Sequence, residues 1–480
     1  MRFDVAIIGA GVVGSLIARE LSQFNIDVVL LEKCNDMAMG TTKANSAIVH
    51  AGFDSVPGSL KAITNVEGVK LMPALCKDLA VPYKNIGSLV LAFNDSQMAH
   101  LTKLLIRGNK NGVPKLRIIG QDKLRELEPN VNINALGALW APTASIVCPY
   151  ELNIAAVENA VSNGVKFIRN FEVKSIKKQS DGAYMLSSGK DKLQAKYIIN
   201  CAGVFSDTVA AMVGDDNVEY KIIPRKGEYF LFDKTANGLV NTVVFQCPTK
   251  MGKGVLIAPT VHGNVIVGPN AIDIEDKEDC STTIQGGIEI MTKARRSIST
   301  LSPKEMITAF GGLRAHTEGD DFIIEKSKKN NNIIHVVGIE SPGLSAAPAI
   351  ANMVKMMLLS ITGELEEKNG FDPVRPAPVR FKDLSDSERR ELVKKNKAYG
   401  RVVCRCETIT EGEILDAIHA PAGALDVDGI KRRTRAGMGR CQGGFCGSKV
   451  VGILSRELDI PLDEVTKFGK ESKVLLKKTK

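Results

Sequence analysis

At 480 residues, 44% hydrophobic and 24% charged, the chain has the balance of soluble globular protein and the length of two or three domains. Its formal net charge is +9, but lysines and arginines are interleaved with acids and aromatic residues make up only 5%. That composition suits a solvated basic surface and argues against a nucleic-acid partner, which would want a coherent basic face with stacking platforms.

The first residues, MRFDVAIIGAG, run directly into an apolar segment with no basic leader or signal core, so a cytoplasmic protein is expected. In that compartment closely spaced cysteines bind metal or do redox work. Residues 4–8 read as a buried parallel strand, followed by Gly9-Ala10-Gly11-Val12-Val13-Gly14 and a helical pattern over 15–24. The first glycine makes the tight turn, the second admits backbone amides to a pyrophosphate, and the third lets helix and strand pack; the helix amino terminus then faces the phosphates. A second strand over 27–31 ends in Glu32, whose carboxylate can accept from ribose hydroxyls.

Two insertions, 82–140 and 219–300, carry alternating patterns such as Gly227–Asp233 that predict an antiparallel sheet roofing the nucleotide. Between and after them come two more strand-then-helix signals. Lys196 to Gly203 ends in Ala202-Gly203, and Ile333 to Ile339 leads to a helix start near Gly343-Leu344-Ser345. Amides at that helix start suit the pyrimidine end of an isoalloxazine, so three contacts spread along the chain favour a flavin dinucleotide. The apolar stretch 346–361 holds Pro348, Asn352 and Lys355 and is expected to be too short and too polar to span a bilayer.

After Gly363 the prolines at 373, 376 and 378 predict an extended linker, and a separate module follows. Its cysteines fall as Cys404-x-Cys406 and Cys441-x4-Cys446 among several glycines. Four thiolates on two short loops suit a [2Fe–2S] cluster or tetrahedral zinc; the tight Cys-x-Cys pair favours iron. Lys431-Arg432-Arg433-Thr434-Arg435 and the lysine-rich tail from Lys467 are local basic excesses, the tail reading as a solvated segment or a dock for a partner or anionic lipid. The remaining six cysteines are expected to be buried hydrophobes.

The glycine fingerprint with Glu32, the segment Gly40 to Gly52, the Asn200-Cys201-Ala202-Gly203 turn, Pro224 to Tyr229 and Gly311-Gly312-Leu313-Arg314 together resemble the D-amino acid oxidase superfamily of FAD enzymes over residues 1 to 365. Within it, the branch that oxidises glycerol 3-phosphate, and next the branch that oxidises L-2-hydroxyglutarate, is most similar. The module after Tyr399 resembles bacterioferritin-associated ferredoxin-like [2Fe–2S] domains, with Cys404, Cys406, Cys441 and Cys446 as ligands.

The resemblance implies an α/β architecture: a Rossmann-like FAD-binding domain (1–81, 141–218, 301–365), an inserted antiparallel-sheet substrate domain (82–140, 219–300), a linker (366–398) and a small helical cluster domain (399–480). FAD would be held by Gly9, Gly11, Gly14, Glu32, Lys33, Thr41, Thr42, Asn45, Ser46, Ala202, Gly203, Gly343, Leu344 and Ser345. His50 would act as base at the reactive face, or else only hydrogen-bond or covalently anchor the flavin. Arg314 would hold the substrate anion, with Arg225, Lys226, Lys250 and Lys253 as weaker candidates and His316 as a loop residue. The implied function is a dehydrogenase for a small anionic hydroxy substrate, passing electrons through the cluster to a second flavoprotein, an iron–sulfur subunit or a quinone-linked membrane partner. An amine dehydrogenase and a pure electron-transfer subunit stand as alternatives.

Overall fold

The computed structural model describes residues 1–216, 218–248 and 254–477. Its first sheet is built on five parallel strands in the order Lys166–Ile168, Val28–Leu31, Arg2–Ile8, Lys192–Asn200, Ile333–Val337. Ile323–Lys326 closes the edge antiparallel, and the hairpin Ser175–Lys178/Tyr184–Ser187 pairs with the first half of Lys192–Asn200. Alternation explains why the first strand is apolar almost throughout. Val5 and Ile7 enter a core shared with helices on one face, while Ala6 and Ile8 enter a second core on the other. A parallel sheet covered on both sides demands apolar residues at both parities.

Helices Val12–Leu21, Pro149–Ser162 and Gly343–Thr362 cover the first face, with Leu60–Asp78 packed on the last of them. Gly343–Thr362 corrects the sequence reading: it runs unbroken for 20 residues through Pro348 and is long and apolar enough to cross a membrane. Half of it is buried among the other helices. Pro348 is the sixth residue of the helix, which therefore forgoes the bond that an amide there would donate to the Leu344 carbonyl.

The second sheet has nine strands. Ile223–Phe232 pairs along nearly its full length with Met306–His316 and on its other edge with Val265–Gly268. Ile272–Asp273, paired with the start of Ile223–Phe232, and Leu256–Pro259, Val243–Gln246, Ser88–Ala92, Gly137–Ala141 and Arg117–Gly120 complete it. It is antiparallel as expected, except that Val243–Gln246 and Ser88–Ala92 run parallel where the two insertions meet. The span 301–365, assigned above to the nucleotide domain, divides: Met306–His316 belongs to this sheet, because its partner strand lies there.

The segment 366–398 is strapped down. The Lys368 amide donates to the Gln23 carbonyl at 2.7 Å, the Asp372 carbonyl accepts from Asn159 and Asn163, and Arg375 pairs with buried Glu158 at 2.6 Å. Its second half is a helix, Asp386–Lys395, begun by a Ser385/Glu388 capping box. Beyond it a short hairpin (Val402–Cys404, Ile409–Thr410) and helices Glu411–His419, Val427–Thr434 and Gly447–Leu458 enclose a small core of Val403, Ile414, Ile430, Val450 and Leu454.

That module docks through the basic run that the sequence left without a role. Arg432 and Arg433 both reach buried Asp36 of the nucleotide domain, at 2.6 and 2.8 Å. Arg435 bonds Glu407 at 2.9 Å and Asn264 of the second sheet at 3.1 Å, and Lys234 reaches the same Glu407. Those cations are an interdomain clamp.

Candidate active site

A continuous cavity of about 1780 Å³ lies between the two sheets. At one end are Gly9, Gly11, Gly14, Glu32 and Lys33; at the other are His50, Tyr229, Phe245 and Arg314. Such a volume is well beyond that needed by an ordinary drug-sized ligand and matches a dinucleotide plus a small substrate.

The nucleotide end is built as the fingerprint predicts. Gly9 has φ +103°, and a Cβ there would sit 2.5 Å from the Cys201 carbonyl oxygen. A Cβ on Gly14 would overlap the Gly9 carbonyl oxygen. Gly14→Ala is therefore expected to lower the melting temperature by several degrees and to give protein purified with little flavin, measured by thermal melt and by the 450 nm absorbance ratio. Glu32 is buried; burial pushes its carboxyl up, while the Cys34 and Ala10 amides, at 3.0 and 2.9 Å, favour the charged form.

The loop Gly40–Ser46 crosses the middle of the cavity. Thr42 Oγ1 accepts from the Val12 amide at 3.0 Å at the start of the first helix. Thr41 Oγ1 donates to the Leu313 carbonyl at 2.6 Å, so the residue before Arg314 is stapled to this loop. Asn45 turns its amide onto the Thr41 and Thr42 carbonyls and its oxygen onto the Ala47 amide, holding the loop rather than offering a free side chain. Thr41, Thr42, Asn45, Ser46, Ala202, Gly203, Gly343 and Leu344 all line the cavity. Ser345 does not: it is buried behind the wall, accepting the His50 amide at 2.7 Å and facing the Ile48 carbonyl. Its role is to fix the His50 backbone.

His50 packs its ring against Phe245, 5.7 Å between centroids and tilted by 31°. Arg314 stands directly across the strand pair from Arg225. The two differ sharply. Arg225 is tied two-pronged to Asp273 at 2.6 and 3.0 Å, and Lys226 turns away to Asp279 at 2.7 Å. Among the described residues Arg314 has no carboxylate partner, only the Asn270 carbonyl at 3.5 Å. Lys250 and Lys253 lie outside the described residues. His316 is the last residue of its strand, not a loop residue, and pairs with Glu340 at 3.0 Å. Burial works against the Glu340 charge, but His316 and Lys61 outweigh it and hold the carboxyl at about 2.

Several lining residues gave no signal in the sequence. Phe245 and the Lys61–Asp320–Glu340–His316 network come from distant segments. Cys34 and Cys280 line the cavity, and of the six cysteines expected to be buried Cys280 is exposed and Cys34 and Cys247 are half-buried. The basic tail also departs from expectation: residues 466 and 473 form a bridge, Lys467 pairs with Asp428 at 3.0 Å, and Phe468 and Lys470 line the nucleotide end of the cavity.

The four carboxy-terminal cysteines form two pairs. Cys406 and Cys441 lie 3.7 Å apart near the surface, while Cys404 and Cys446 face each other in the interior. Amides of Phe445, Gly443 and Gly444 point at the Cys441 sulfur and hold its thiol below the usual range; burial and Cys404 push Cys446 up to about 12. A single tetrahedral metal with bonds of about 2.3 Å requires all four sulfurs within about 4 Å of one another. Among the described residues no three of these thiols come within 4.8 Å of each other. Two separated pairs fit a two-iron core.

Residues 4–356 match the model of the DAO family, FAD-dependent oxidoreductases, and residues 402–456 match the BFD-like [2Fe–2S] binding domain. A glycerol 3-phosphate dehydrogenase of Caloramator mitchellensis is 51% identical, covering 100% of this chain and 99% of its own. A glycerol 3-phosphate oxidase of Mycoplasma genitalium is 33% identical over 77% of this chain and 97% of its own. The FAD-bound, dithionite-reduced structure of L-alpha-glycerophosphate oxidase from Mycoplasma pneumoniae superposes with a TM-score of 0.74 at 30% identity, over 79% of this chain and all of that one. This chain belongs to the DAO family of FAD-dependent oxidoreductases and joins to that enzyme fold a BFD-like domain for a [2Fe–2S] cluster.

Proposed function

We propose that the protein oxidises the secondary hydroxyl of glycerol 3-phosphate to the ketone and releases the electrons singly through the cysteine centre to a redox partner. The observation that carries this reading is Arg314, a cavity-lining guanidinium with no carboxylate partner among the described residues, next to Leu313, whose carbonyl is bonded to the loop that crosses the flavin site. A planar fork of donors in that state suits a phosphate. Relatives that act on glycerol 3-phosphate over nearly their whole lengths support the same substrate.

Bound FAD supplies the hydride acceptor and the cluster a one-electron outlet. The chain's own residues do the rest. Arg314 anchors the anion, and the Thr41–Leu313 bond fixes it relative to the cofactor loop. His50, with its amide held by Ser345 and its ring against Phe245, takes the hydroxyl proton on a ring nitrogen as hydride leaves the same carbon. Tyr229, stacked on Phe310 at 4.9 Å, and Phe245 keep water from that end. A reducing, cytoplasmic setting suits a chain whose ten cysteines are all free.

Anaerobic mixing tests the reading. Glycerol 3-phosphate is expected to bleach the flavin band within seconds, and L-2-hydroxyglutarate at least about tenfold more slowly. Faster bleaching by the dicarboxylate moves the substrate to carboxylates, and no bleaching by either overturns the reading.

A further inference from the structure

We infer that the loop between Cys441 and Cys446 is the docking face for an acidic electron-carrier protein, seated on Phe445 within a rim of Arg405, Arg440 and Lys449. The inference rests on the proposed exit of electrons through the cysteine centre and names the chemistry of what receives them.

Three observations converge. Phe445 is 84% exposed, although it sits between two cysteines and its amide points at the Cys441 sulfur. An aromatic ring left in water, on the loop that carries the outer thiol pair, is a contact awaiting a partner. Cys406 and Cys441 are the pair nearer the surface and Cys404 and Cys446 the buried one, so the electron's shortest way out lies on the Phe445 side. Charge then selects the partner. Arg405 lies between Cys404 and Cys406, Arg440 precedes Cys441, Lys449 lies in the first turn of the helix after Cys446, and all three are exposed.

Among the described residues Arg405 and Lys449 have no acidic partner, and Arg440 has only Asp233 at 3.8 Å. Glu407, which follows Cys406, is buried and already paired with Arg435 and Lys234. Farther round the module, Arg401 and Arg456 both pair with Glu411. An apolar centre within a cationic rim that meets an acid at only one of its three members, Asp233 at Arg440, complements a carrier with carboxylates around its redox group. Small, charge-steered interfaces of this kind give the fast, weak encounters that electron transfer uses.

The stoichiometry closes. Oxidation of one alcohol to a ketone yields two electrons and two protons; two oxidised carriers take one electron each, and the protons pass to solvent.

The test uses the whole holoprotein, reduced anaerobically with glycerol 3-phosphate and mixed with the soluble domain of cytochrome b5 as an acidic one-electron probe. Basic cytochrome c and ferricyanide serve as comparisons. The rate constant with cytochrome b5 is expected to fall steeply with salt, and to drop at least about tenfold in an Arg405→Glu/Arg440→Glu variant while the rate with cytochrome c rises. Phe445→Ala should lower the cytochrome b5 rate several-fold without changing its salt dependence. Flavin bleaching and the cluster's visible and EPR spectra report in the same samples that the centres are intact. Variants with filled, substrate-reducible centres and unchanged rates overturn the docking face alone. Failure of substrate to reduce the cluster in the unaltered protein overturns the exit route, and the docking face with it. Variants that lose the cluster are replaced by Arg405→Gln and Arg440→Gln, for which the same salt-dependent loss, about threefold, decides.

Discussion

Replacing His50 by alanine is expected to slow anaerobic flavin reduction by glycerol 3-phosphate by about 10²–10⁴-fold, the range for losing a positioned general base. The protein should still purify with FAD, because the nucleotide end of the cavity is built by Gly9, Gly14, Glu32 and Thr42. The substitution also keeps the His50 amide and thus its bond to Ser345. A base predicts more than a slow rate: in the unaltered enzyme, reduction should accelerate with pH as the imidazole loses its proton, and that inflection should vanish in the variant. Near-native reduction in His50→Ala, or loss of FAD in step with activity, would assign the ring to holding the cofactor.

The second large effect lies far from the chemistry. Asp36 is the carboxylate that pairs with both buried guanidinia, those of Arg432 and Arg433. Removing one partner of a buried ion pair costs about 3–5 kcal/mol, because the remaining charge stays desolvated. Asp36→Ala is therefore expected to release the cluster domain from the nucleotide domain. Flavin reduction by substrate should stay within about twofold of normal, while flavin-to-cluster transfer falls at least about tenfold and the 364–400 segment becomes open to protease.

The pH dependence has a definite sign. Burial works against the Asp36 charge, but Arg433 and Arg432 hold its carboxyl far below the usual range. Its contribution is complete above the unfolded value of about 3.9 and is lost as pH falls toward the depressed one, so docking should weaken only below about pH 4. Unchanged protease resistance and transfer in Asp36→Ala would remove this clamp from the account.

What the sequence determined by itself was local or periodic. Strand, glycine turn, helix, strand and Glu32 follow one another within thirty-two residues, and short-range sterics dictate their arrangement. The two cysteine loops are likewise local, but the thiols pair across them, Cys406 with Cys441 and Cys404 with Cys446. Tertiary structure decided the rest, because charge and contact depend on partners distant in sequence. In the sequence only the family resemblance set Arg314 above Arg225; the register of two strands and the position of Asp273 supply a physical difference, neutralising Arg225 while Arg314 has no carboxylate partner among the described residues. Ser345 looked like a cofactor ligand, yet helix packing turned it onto the His50 backbone. The basic run at 431–435 looked like a surface, and became an interface because Asp36, some four hundred residues earlier, is buried opposite it.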